Sequence, residues 1–97
     1  MSQPKIAYLD LTDCSDIRDL HQRIKETFDF PDYYGRNWDA FKDAFVTVGV
    51  PEKIVICGEN TVHTTLVDEL RMMYEVLDRI KAEFDRCGWP FEYALVD

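Results

Sequence analysis

The stretch D-Y-Y-G-R-N-W-D-A-F-K-D, from Asp32 to Asp43, holds the residues whose types and spacing could do chemistry. If its second half is helical, Asp39 and Asp43 share one face with their carboxylates roughly 6 Å apart, and their repulsion destabilises that helix by roughly 0.2–0.5 kcal/mol. Three uses fit such a pair. By separation alone it suits the acid and nucleophile of a glycosidase, although such residues flank a sugar in a cleft and neighbours on one short helix rarely form both walls. It could begin a cation site, but two carboxylates fall well short of the ~6 or more oxygens calcium takes. It could also be a solvated helix face.

The remaining reactive side chains form no constellation. His21 and His63 fall on separate elements, and the three cysteines, Cys14, Cys57 and Cys87, are far apart with no C-x-x-C. That pattern predicts reduced thiols in a cytoplasmic protein rather than a metal or redox site. Cys57 and Cys87 read as small core residues. G-x-S-x-G, the phosphate loop, G-x-G-x-x-G and H-E-x-x-H are all missing. The expectation is a protein that is not an enzyme and uses no cofactor or metal.

Composition narrows the partner. The chain has 97 residues, a length for a single domain spanning 1–97. With 46% hydrophobic and 31% charged residues it should fold around a core rather than stay disordered. A net charge of −8 argues against direct nucleic-acid binding, which needs basic residues for phosphate, and suits a basic protein partner. No basic stretch followed by an apolar run marks a secretory signal, and no apolar run approaches the ~20 residues of a membrane span.

The elements that must position the acids follow from patterning. Lys5–Leu11 has the length and apolar character of a strand. A helix then buries Ile17, Leu20, His21, Ile24 and Phe28, with Asp13 or Ser15 as its cap and His21 as a hydrogen-bonded core residue. Phe30-Pro31 closes that region. Asn37 caps a short helix from Trp38 to about Val46, and Gly49 and Pro51 break the chain after it. Lys53–Cys57 is the clearest strand, short and β-branched. A polar connection with room for one helical turn leads to a long helix from about Leu66 to Arg86. Its stripe is Leu66, Leu70, Met73, Tyr74, Leu77, Ile80, Phe84 and Cys87, and Gly88 ends it. Phe91–Val96 is the last strand. Strands joined by helices predict an α/β fold: a small three-stranded parallel sheet with partly exposed edges and helices packed against it.

At about 100° per residue, Phe41, Ala44 and Phe45 centre the buried face of the short helix. Asp39 and Asp43 then point to solvent, Trp38 lies at the border beside Lys42, and Tyr33 and Tyr34 sit in the turn before, where both rings cannot be buried. Exposed aromatics beside unpaired acids are the make-up of a protein-binding hot spot.

The segment F-P-D-Y-Y-G-R-N-W-D-A-F-K-D-A-F resembles the central motif of the barstar family, intracellular inhibitors of barnase-type ribonucleases. D-I-R-D-L-H-Q-R-I-K resembles that family's first helix, and K-A-E before the last strand its final one. The resemblance covers most of the chain and is sharpest at Y-Y-G-x-N-x-D-A. It implies the same three-stranded parallel fold, and a motif helix and preceding loop that plug a ribonuclease active site. Carried over by position, Tyr33, Asn37, Trp38, Asp39, Asp43 and Val46 would face the enzyme, with Glu83 added from the last helix. Asp43 would mimic a phosphate and accept charge-assisted hydrogen bonds from the enzyme's cations, and Asp39 would support it one turn earlier.

Lys42 stands where such proteins often have an aromatic residue, and Trp38 where the relative has an aliphatic one. Lys42 could pair with Asp39, and both changes imply a different cognate enzyme or altered specificity. The expected protein is a cytoplasmic immunity protein, a monomer or weak homodimer, whose partner is a basic extracellular-type ribonuclease or related toxin. The alternative is a binding module of the same fold that neutralises a non-nuclease toxin or serves a regulatory partner.

Overall fold

The computed structural model describes residues 5–96. Three strands, β1 (Ile6–Asp10), β2 (Lys53–Cys57) and β3 (Glu92–Val96), form one parallel sheet in that order, in register from Ile6↔Lys53↔Glu92 to Asp10↔Cys57↔Val96. Between β1 and β2 run α1 (Ile17–Phe28) and α2 (Trp38–Val48), and between β2 and β3 runs α3 (Val67–Cys87). The expected α/β architecture is therefore present. Both crossovers step the same way across the sheet, so right-handed connections put their helices on one face. Burial agrees: Leu9, Ile54 and Ile56 point into the core, whereas Ile6 and Tyr8 on the opposite face stay exposed. Parallel sheets are usually covered on both faces. This one is two-layered with an open side.

The core is aromatic beneath the candidate helix. Phe41 and Phe45 are fully buried and meet Phe28 and Phe30 edge-on, with ring centroids 4.9–6.3 Å apart. This geometry favours aromatic pairs beyond the apolar area they remove from water. It fixes α2 against α1 and the loop from Phe30 to Arg36.

Several details differ from the sequence expectations. Asp16, not Asp13 or Ser15, caps α1, accepting the Asp19 N–H at 2.7 Å. Asp13 instead takes a left-handed backbone conformation (φ 56°) and donates its N–H to Thr61, 48 residues away. α2 runs to Val48, and the polar connection holds two 3-10 turns, Glu59–Thr61 and Thr64–Leu66. Ile17 and Cys87 are exposed because each lies in the terminal turn of its helix, whereas the other stripe residues are buried or, like Tyr74 and Phe84, partly buried against the core. Cys57 is only half-buried.

Candidate protein-binding site

The site starts with a cap. The Asn37 side-chain oxygen accepts the Ala40 N–H at 2.8 Å, and its amide donates to the Gly35 carbonyl at 3.3 Å. One residue thus fixes both the start of α2 and the turn before it. Asn37 sits on the exposed side as expected, with its hydrogen-bonding groups engaged by its own backbone.

The loop is anchored from below. Tyr34 is buried and its phenol lies 2.7 Å from Nδ1 of the buried His21. Burial lowers the His21 pKa and raises that of Tyr34. A neutral imidazole can accept the phenol proton, so the pair satisfies both groups without charge in the core. Lys25 pairs with Asp32 at 3.1 Å, and Arg36 donates to Gln22 at 3.1 Å. The loop's remaining ring, Tyr33, is 80% exposed.

Along α2, Asp39 and Asp43 are exposed, and among the described residues neither has a cation within ion-pair distance. Val46, on the same side, is 81% exposed. A cleft of about 270 Å³ opens between Tyr33 and Gly35 of the loop and Ala40, Asp43 and Ala44 of the helix. Tyr33, Asn37, Asp39, Asp43 and Val46 thus share one outward surface.

Trp38 and Lys42 turn toward α3. The half-buried indole packs on His21 (4.7 Å) and edge-on to Phe41 (5.4 Å), and its Nε1–H donates to Glu69 at 2.8 Å. Lys42 pairs with Glu83 at 3.4 Å, not with Asp39. Glu69 and Glu83 lie roughly 21 Å apart along α3, at ~1.5 Å per residue. They are reached from α2 residues one turn apart, so the two side chains extend in opposite directions along α3. Glu83 thus takes Lys42 in place of the carboxylate on its own helix. Glu69 has no local signal in the sequence; it matters only because α2 packs on α3 and brings Trp38 within reach of it.

Burial raises the pKa of both Cys14 and Cys57, which keeps them as thiols. Among the described residues no His, Cys, Asp and Glu cluster could hold a metal ion, and no helix is long and apolar enough to cross a membrane. A larger depression of about 500 Å³ lies at the N-terminal ends of the strands. Its lysines are already paired, Lys53 with Glu92 (3.7 Å) and Lys81 with Asp85 (3.3 Å).

Comparison with known proteins meets this geometry. The chain is 36% identical over 81 residues to a Bacillus subtilis (strain 168) protein named "Putative ribonuclease inhibitor YrdF", covering 78% of this chain and 89% of that protein. Residues 5–96, nearly the whole chain and all of the sheet, helices and acidic surface, match the family model described as "Barstar (barnase inhibitor)", and the chain belongs to the barstar family.

Proposed function

We propose that the protein is an intracellular, stoichiometric inhibitor of a basic microbial ribonuclease, docking α2 and the loop before it into the enzyme's active site. One observation carries this reading: Asp39 and Asp43 stand exposed and, among the described residues, unpaired on a helix whose start is fixed by Asn37 and whose underside is locked in an aromatic core. A ribonuclease cleft gathers cations where phosphate oxygens sit. A carboxylate placed there accepts the same hydrogen bonds, two at once from an arginine. The repulsion between the two acids, tolerated in the free protein, is relieved when the enzyme's cations arrive. Tyr33 and Val46 supply the apolar contact around them.

The test is inhibition of RNA cleavage by a basic endoribonuclease, with barnase as the probe. Asp43→Ala should weaken inhibition by about 30-fold or more. Truncating a buried charged partner costs roughly 2–5 kcal/mol, a range that barnase–barstar measurements themselves helped to set, so it is not an independent estimate. Asp85→Ala, which removes an exposed α3 carboxylate paired with Lys81, should change inhibition less than threefold. Equal effects from the two substitutions would remove α2 as the contact.

A further inference from the structure

Four charged side chains belong to the candidate surface, and the structure divides them. Among the described residues Asp39 and Asp43 have no ion-pair partner, while Glu83 is held by Lys42 at 3.4 Å with both side chains about half exposed. We infer that the Lys42–Glu83 pair is a specificity device: it masks Glu83 and excludes ribonucleases whose cations extend over the α2–α3 junction, admitting those whose cations are confined to Asp39 and Asp43. This inference rests on the inhibitor reading above and deepens it.

In water an exposed pair of this kind contributes only about 0–1 kcal/mol. Docking changes its weight. Once an enzyme covers the junction, solvent no longer screens either charge, and each must keep a counter-charge or destabilise the complex. An enzyme cation placed over Glu83 competes with Lys42 for one carboxylate and leaves one of the two cations uncompensated beside the other. Lys42 has one nearby alternative, Asp39 one turn back on its own helix. Taking it would neutralise one of the two acids that the enzyme needs. Either way, a cation over the junction costs the complex one of the surface's acids. An enzyme that presents a neutral or acidic group there loses nothing.

The neighbouring contact keeps Lys42 in place. Trp38, one turn earlier, is tied to Glu69 at the start of α3, and Lys42 is tied to Glu83 toward its end. The two contacts link α2 to α3 at widely separated points of α3 and place Lys42 at the junction. Discrimination then works by repulsion of the wrong partner, leaving the attraction of the right one to Asp39 and Asp43.

The experiment measures inhibition constants against barnase for the natural chain and for Lys42→Ala, Lys42→Ala/Glu83→Ala and Asp43→Ala. Barnase suits the purpose because a cleft that holds a polynucleotide needs cations along its length. Lys42→Ala should inhibit at least tenfold more tightly than the natural chain. The gain should vanish, to within threefold, in the double variant, because the freed Glu83 produces it. A Lys42→Ala protein that is no tighter, or a double variant that keeps the gain, overturns the inference. If Asp43→Ala still loses about 30-fold in that case, the inhibitor reading stands without it. If no variant inhibits barnase, Lys42→Ala included, both fall. Circular dichroism of each variant separates a lost fold from a lost contact.

Discussion

His21 is the residue on which the loop before α2 turns. It is buried between Tyr34 of the loop and Trp38 of α2, and desolvation, the dominant effect, lowers its pKa, while Glu69 opposes this and Arg36 adds to it. A histidine whose pKa is lower folded than unfolded stabilises the fold while neutral. That contribution is fully present above the unfolded value of about 6.5 and is lost as the pH falls through the lower folded value. Protonation also makes both ring nitrogens donors, so the Tyr34 phenol can no longer donate to Nδ1. Urea midpoints should therefore fall between pH 7 and pH 5 in the natural chain, and fall clearly less in His21→Gln; parallel slopes would show that other groups control the acid side. The burial of His21 was legible in the sequence from its place on an apolar helical stripe. Its partner was not, because a hydrogen bond across 13 residues depends on how the loop returns over α1. The same limit hid Glu69 and sent Lys42 to Glu83 instead of Asp39, since both contacts exist only once α2 packs on α3.

At the scale of elements, periodicity carried most of the information. Phe41, Ala44 and Phe45 are buried and Asp39 and Asp43 exposed because an 11-residue helix at ~3.6 residues per turn leaves each face no choice once one side packs. Helix ends were less legible where tertiary contacts set them, as when Thr61 draws Asp13 out of line and moves the cap of α1 to Asp16. Two glycines show how local and tertiary demands differ. Gly88 ends α3 with φ 75° and has open space where a Cβ would stand, whereas Gly58, with φ 76°, would bring a Cβ within 2.5 Å of the Thr12 backbone nitrogen. Gly88→Ala should lose about 1–2 kcal/mol, the left-handed penalty alone. Gly58→Ala adds an overlap with backbone that cannot rotate away, typically another 1–3 kcal/mol. Denaturant unfolding of the two variants checks the order: Gly58→Ala must be the less stable. Equal losses would mean that the β1–α1 connection gives way freely and does not fix the end of the sheet.

The whole molecule carries a net charge of −8 and leaves one sheet face open, with Ile6, Tyr8 and Val96 exposed on it. An apolar face invites association, and a like net charge on every copy opposes it. The same charge attracts a basic enzyme over a distance set by ionic strength, with a Debye length of about 8 Å at 0.15 M salt and about 30 Å at 0.01 M. Asp39 and Asp43 add a local field to this global one. They point outward from a rigid helix, so on the proposed reading an approaching cationic cleft meets the strongest attraction at α2. Association with barnase should therefore slow at least tenfold between 0.01 and 0.5 M salt, with dissociation changing much less, in stopped-flow measurements. Steering of this kind is best documented for the barnase–barstar pair itself, so its magnitude there is not an independent forecast. Asp39→Ala/Asp43→Ala should flatten the salt dependence more than a double substitution of Asp68 and Asp85, which removes the same charge from α3. If the two double variants flatten it equally, net charge alone governs encounter and the acids on α2 have no special part in guiding it. An association rate that ignores salt altogether would mean that Tyr33 and Val46, not the carboxylates, bring the partner in.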